Sequence, residues 1–235
     1  MDFGIALLLY LLPPSLSLPL PQPLNPTHMK SLRTLAALVA LLISLGASAA
    51  EPKFESAFNG KDLAGWQNAK DNEFWKVVDG VLVGQNNAAK KGNMLYTEKA
   101  YADAVIECEV RFSGNIDSGI MMRKDAKGKK DIQMQIGVSR SLKKDMTCSI
   151  YAPVGKIGYP ESGQCKKLEQ LWKKDAWNKV RYQAKGDTYT VWLNGEQVVE
   201  YVDATCPAAY AIGLQIHPGV EMKVEYRDIK IAELK

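Results

Sequence analysis

Apolar and polar positions alternate with a period of two along most of the chain after Glu51. Residues 104–112 show it most cleanly: Ile106, Cys108, Val110 and Phe112 share one face, and Glu107, Glu109 and Arg111 the other. That period belongs to a strand with one face in a core. Similar short stretches recur at residues 118–123, 131–138, 147–152, 178–185, 187–193, 196–201, 211–217 and 222–232. Turn chemistry separates them. Asp79-Gly80 closes a hairpin over 75–82, Gly186 turns the chain between two strands, and Asn194-Gly195 closes a further hairpin. The helical candidates are short pieces such as residues 166–172. Many short strands without a helical layer predict an all-β fold, a sandwich of two stacked antiparallel sheets.

Alternation also assigns faces. In residues 118–123, Ile120 and Met122 point inward, and Gly119, Met121 and Arg123 outward. Gln133 and Gln135 share the outer face of their strand, and Gln215 and His217 that of theirs. Glu109 and Arg111 face outward on 104–112, and Glu225 and Arg227 on the last strand. If these strands are neighbours, they form one wall of Glu, Arg, Gln and His. Amides and guanidinium forks offer donors and acceptors at fixed geometry, which suits sugar hydroxyls. An ordinary solvated sheet face has the same pattern, because antiparallel sheets often keep one wet side.

The first 50 residues are different. Met29-Lys30-Ser31-Leu32-Arg33 precedes an apolar run over 35–45, and Gly46-Ala47-Ser48-Ala49-Ala50 follows it. This is the three-part pattern of a secretory signal over residues 29–50, with cleavage after Ala49 or Ala50. The run is too short for a membrane span of about 20 residues. Residues 1–28 carry a short apolar stretch broken by Pro13, Pro14, Pro19, Pro21, Pro23 and Pro26. They read as an extension ahead of the true start and take no part in the fold. Residues 51–235 then make one domain, in a secreted or periplasmic protein.

Composition narrows the partners. Thirty Lys and Arg stand against 26 Asp and Glu, a net charge of +4. No basic block is interleaved with aromatics, so no nucleic-acid groove is expected. The four cysteines, Cys108, Cys148, Cys165 and Cys206, all follow residue 50. An even count in an oxidising compartment predicts two disulfides, with three connectivities open. Pairing Cys148 with Cys165 would restrain a loop rich in Gly and Pro and leave Cys108 with Cys206. No two cysteines have CxxC spacing, and His217 is the one histidine after residue 50. No metal site or cofactor is expected, except that loop carboxylates and carbonyls could hold calcium.

Phe58-Asn59-Gly60-Lys61-Asp62-Leu63-Ala64-Gly65-Trp66 opens a series of ordered segments. Trp75-Lys76-Val77-Val78-Asp79-Gly80-Val81-Leu82 follows, then Ser118-Gly119-Ile120 with Arg123, Trp177-Asn178 and Leu193-Asn194-Gly195. Ile212-Gly213-Leu214-Gln215-Ile216-His217 and Val224-Glu225-Tyr226-Arg227-Asp228-Ile229 complete it. In this order they resemble the 3-keto-disaccharide hydrolase family, long known as a domain of unknown function. The resemblance runs from about Phe58 to the C-terminus. It implies a concanavalin A-like jelly roll, export, and action on glycosides, with 3-oxo sugars as the substrate class.

One departure from the family pattern is informative. Members usually carry an aromatic-Glu-aromatic-Gln segment and then an acidic residue. Here the segment is Ile132-Gln133-Met134-Gln135-Ile136-Gly137-Val138, with Gln133 in the carboxylate position and Val138 near the acidic one. An amide cannot exchange a proton as a carboxylate does.

Three functions remain open: an enzyme, a carbohydrate-binding module on the same face, and a structural cell-surface domain. For the enzyme, a 3-oxo group acidifies the neighbouring C2 hydrogen. His217 would be the proton shuttle, Arg123 the enolate stabiliser, and Glu109 or Glu225 the available carboxylate. Gln133, Gln135, Gln215 and Arg111 would bind the substrate. The expected partner is a carbohydrate or glycoside, with no nucleic acid and no stable membrane span once the signal is removed.

Overall fold

The computed structural model describes residues 51–70 and 72–234. The expected signal over 29–50 and the extension over 1–28 lie outside the described residues. Glu51–Lys235 forms one unit. Among the described residues the strands are β1 (Glu55–Ser56), β2 (Trp75–Val78), β3 (Val81–Gln85), β4 (Asn93–Tyr101) and β5 (Ala104–Phe112). Then come β6 (Asp117–Met122), β7 (Ile132–Ser139), β8 (Lys144–Asp145), β9 (Ile150–Tyr151) and β10 (Asn178–Lys185). The last are β11 (Thr188–Leu193), β12 (Glu196–Val202), β13 (Tyr210–Ile216) and β14 (Lys223–Glu233). One α-helical turn, Leu168–Leu171, falls inside the expected helical piece.

The strands make two antiparallel sheets. The larger runs β12-β11-β10-β5-β14-β3-β2, with β1 against β14. The smaller runs β4-β13-β6-β7-β8, with β9 also on β7. The all-β jelly-roll expectation is therefore met. The hairpin dipeptides do what their chemistry demands: Asp79 and Gly80 have φ of 50° and 78°, and Asn194 and Gly195 have 50° and 91°. These left-handed pairs twist the chain in the sense of the flanking strands.

The inner faces meet in a continuous core that includes Ile106, Val110, Ile120, Met134, Leu214 and Tyr226. Two polar contacts cross it. Ser118 Oγ and Tyr226 Oη lie 3.2 Å apart, and Tyr182 Oη donates to the Ile132 carbonyl at 3.2 Å. The opening motif serves this core. Asn59 Oδ1 accepts from the Lys61 and Asp62 N–H groups, and Asp62 Oδ1 from the Ala64 N–H, so the loop folds on itself. Trp66 is thereby buried, its indole donating to the Ala57 carbonyl at 2.9 Å.

Three expectations need correction. The outward residues do not form one wall. Glu109, Arg111 and Glu225 lie on the larger sheet, and Gln133, Gln135 and Gln215 on the smaller one. Because the inner faces pack together, these outer faces look in opposite directions.

The second correction concerns Arg123. Strand β6 ends at Met122, and Arg123 takes φ 59°. The left-handed residue breaks the alternation, and the guanidinium is buried rather than presented.

The third concerns the cysteines, all four of which are free thiols. Cys108 sits opposite Val180 on the inner face of β5, whereas Cys206 Sγ contacts the Lys130 carbonyl at 3.5 Å. Strand β4, moreover, went unread in the sequence, because its Lys- and Tyr-rich outer half shows no clean alternation.

Candidate functional site

The outer face of the smaller sheet is built by the outward positions of three neighbouring strands. Asp117 and Gly119 come from β6, Gln133 and Gln135 from β7, and Gln215 from β13, with His217 just beyond its end. Pairing of Gly119 with Gln135, and of β13 with β6, sets these groups side by side. Strand β9 adds Tyr151 beside Gln133. The Ala152 and Gly158 backbones then bond to each other at 2.7 and 2.9 Å, which brings Tyr159 back against Tyr151 with ring centroids 5.1 Å apart.

Together with Arg140, Ser139 and Ser141, all of these residues but Gly119, Ala152 and Gly158 line a cleft of about 260 Å³. Its floor is a connected polar chain. Gln133 Nε2 donates to Gln135 Oε1 at 2.5 Å, and Gln135 Nε2 donates to Asp117 Oδ1 at 2.9 Å. The other Asp117 oxygen lies 3.9 Å from His217 Nε2. That is beyond hydrogen-bond reach, so the two groups are separate poles of one site.

His217 Nδ1 lies 2.8 Å from the Pro218 carbonyl, which can only accept, so this nitrogen carries a proton. Arg140 Nη1 donates to the same carbonyl at 2.8 Å. Burial raises the Tyr159 phenol far above its usual range, and Asp117 adds to that effect against the Ser139 hydrogen bond, so Tyr159 is a neutral donor. One group has no partner: Gln215 Oε1 is buried and accepts no hydrogen bond. A buried unpaired acceptor costs about 1–3 kcal/mol unless something donates to it.

Asp117 was missed in the sequence because the strand was read from Ser118. The outward parity of Gly119 and Met121, carried back two residues, would have found it. Arg140 lies in a hairpin loop and had no periodic signal.

The other expected site residues are elsewhere. Arg123 Nε donates to the Ala102 carbonyl at 2.7 Å, and its terminal nitrogens reach the Gly186 carbonyl and Asp103. It is therefore not at the cleft with His217. On the larger sheet, Arg111 Nε meets Glu225 Oε2 at 2.8 Å, and Arg227 Nε meets Glu109 Oε2 at 2.5 Å. Both guanidinium groups pack on Trp177, at 4.6 and 4.3 Å from its ring centroid. Burial raises Glu225, but Arg111 and Lys223 outweigh it and hold the carboxyl below its usual range. Glu109 is thus ion-paired across the strands, and the depressed Glu225 is a poor proton acceptor.

Other clefts are larger but chemically plainer, among them two of about 290 and 360 Å³. Another of about 540 Å³ lies over this ion-pair ladder, and one of about 600 Å³ lies beside Cys165 and Trp172. None of these contains an unpaired buried polar atom. No three His, Cys, Asp or Glu side chains gather in a metal-binding cluster among the described residues. No described helix is long and apolar enough to cross a membrane.

Two stacked antiparallel sheets with a polar cleft on an outer face place this protein in the concanavalin A-like class of β-sandwiches. Solved structures agree on the fold. A candidate glycosyl hydrolase from Parabacteroides distasonis ATCC 8503 aligns with a TM-score of 0.58 and 21% identity, over 77% of this chain and 100% of that one. The exoplasmic domain of VIP36, crystallised with Ca²⁺ and Man3GlcNAc, aligns at 0.54 and 10% identity, over 76% and 87% of the two chains. The carbohydrate recognition domain of Emp47p aligns at 0.52 and 14% identity, over 77% and 94%. The chain belongs to the 3-keto-alpha-glucoside-1,2-lyase-like domain family, whose profile matches residues 53–232. Among functionally curated proteins, none matches the sequence.

Proposed function

We propose that this is an exported glycoside-active protein that takes a 3-oxo glycoside into the cleft and expels the C1 substituent. The observation that carries the reading is the Asp117–His217 pair beside the unpartnered Gln215 Oε1. A turn of the Gln215 side chain, which lines the cleft, would offer that acceptor to a sugar hydroxyl.

A 3-oxo group makes the C2 hydrogen acidic, and a positioned base can take it. His217 Nε2 takes the C2 proton, because Nδ1 already carries one for Pro218. The C–H electron pair becomes the C2=C3 enolate. Arg140, the guanidinium of the cleft, offsets the enolate charge, the role expected of Arg123. When the ketone re-forms, the C1–O bond breaks and a C1=C2 double bond remains. The departing oxygen takes a proton, with Tyr159 as the neutral donor at hand. Water adding across C1=C2 afterwards would give net hydrolysis. Asp117 holds the charge of the imidazolium that forms at His217.

The test is incubation of the exported protein with a 3-oxo glucoside, with products identified by mass spectrometry. Elimination gives an unsaturated sugar lighter by one water than the hydrolysis product. The departure at Gln133 favours a second reading, a non-catalytic carbohydrate-binding module using the same cleft. Saturable binding of the 3-oxo glycoside without release of its substituent would select it.

A further inference from the structure

The amides of the cleft are not interchangeable hydrogen-bonding groups, because a backbone carbonyl fixes their direction. Gln133 Nε2 lies 3.3 Å from the Ser118 carbonyl, which can only accept. The same nitrogen donates to Gln135 Oε1, and so Gln135 turns its own Nε2 toward Asp117 Oδ1. Each link determines the next. Ser118 and the Gln133 amide together present a donor, and not an acceptor, to Asp117. The fold reserves space for this arrangement: a Cβ on residue 119 would stand 2.4 Å from Gln133 Nε2. Gly119 is therefore the only residue that leaves the first amide in place.

We propose that Gln133 is a positioning residue that sets the polarity of the Gln133–Gln135–Asp117 relay and so keeps Asp117 Oδ1 a hydrogen-bond acceptor opposite His217. This rests on the cleft being the functional site. It gives the departure from the family pattern a physical role. A carboxylate at 133 has no donor, and even a protonated carboxyl has one, too few to serve both Ser118 and Gln135. Once ionised it would attract Gln135 Nε2, turn that amide over, and set Gln135 Oε1 against Asp117 Oδ1. The charged and titratable groups that line the cleft with the relay are Asp117, His217, Arg140, Tyr151 and Tyr159, with His217 and Arg140 sharing the Pro218 carbonyl.

The experiment is Gln133→Glu beside Gln133→Met, each checked for a native melt. Turnover of a 3-oxo glycoside is followed over about pH 5–9, together with the side-chain amide ¹⁵N–¹H signals of Gln135. Gln133→Glu should show an extra loss of turnover with rising pH, on the order of tenfold, absent from the wild type. Its Gln135 signals should shift over the same range. Gln133→Met lacks an ionising group, so its turnover should be lower with no added pH limb. Gln135 signals in Gln133→Glu that stay constant with pH would overturn the relay. They do so whether or not the protein turns substrate over, so failure of the relay and failure of the proposed reaction are read separately.

Discussion

Replacing Arg123 by alanine should destabilise the protein and leave the cleft chemistry intact. The guanidinium is almost wholly buried and serves the Ala102 carbonyl, the Gly186 carbonyl and Asp103. Its loss strands two backbone acceptors, at about 1 kcal/mol each. Asp103 loses its ion partner too. Its side chain is 34% exposed and keeps the Gly186 N–H at 3.1 Å, so this part is discounted to about 1 kcal/mol. The total is about 3 kcal/mol. In a domain of this size each kcal/mol lowers Tm by about 2–4 °C, which gives a fall of about 6–12 °C. Alanine also has to hold the φ of 59°. Arg123→Gly, free of that strain, should melt higher than Arg123→Ala by about 1 kcal/mol. The assay is a thermal melt, paired with turnover per folded molecule well below Tm. A Tm within about 2 °C of the wild type, or a folded variant that has lost turnover, would refute the structural assignment.

Other outcomes follow from the same contacts. Gly84→Ala would put a Cβ 2.5 Å from the buried Trp75 ring, which is pinned by its bond to Asn93, so a loss of about 1–3 kcal/mol is expected in urea melts. Glu109→Gln and Glu225→Gln break surface ladder pairs, should cost about 1 kcal/mol or less each, and should leave turnover within about twofold; a larger kinetic loss would move the site to the other sheet. Burial raises Glu107, but Lys179 and Arg181 outweigh it and hold it below its reference of 4.5, as Arg111 and Lys223 do for Glu225. Such depressed carboxylates stabilise the fold above about 4.5 and lose that contribution as pH falls through their lower folded values, so Glu107→Gln with Glu225→Gln should flatten the acid limb of stability against pH.

The strands and their faces were legible because alternation is a local property. Strand β10 has the bounds its pattern predicts, and Ile106, Cys108 and Val110 face inward as expected. Strand order is a non-local property and was not legible. The same parity that turns Glu109 and Gln135 outward cannot say that they belong to different sheets. Arg123 misled for a local reason, since one residue of positive φ ends the period it had been assigned by. Asp117 lay one residue outside the stretch read as a strand. The cysteine count suggested bridges, but a count carries no geometry, and all four thiols are free in the structure.

The most direct test compares release of the C1 substituent from a 3-oxo glucoside by the wild type, His217→Ala, Asp117→Asn and the Glu109→Gln, Glu225→Gln double variant, all with native melts. The account predicts release by the wild type, a loss of about a hundredfold or more in His217→Ala, a clear loss in Asp117→Asn, and near wild-type rates in the double variant. Undiminished release by His217→Ala and Asp117→Asn, with the loss confined to the double variant, would contradict it.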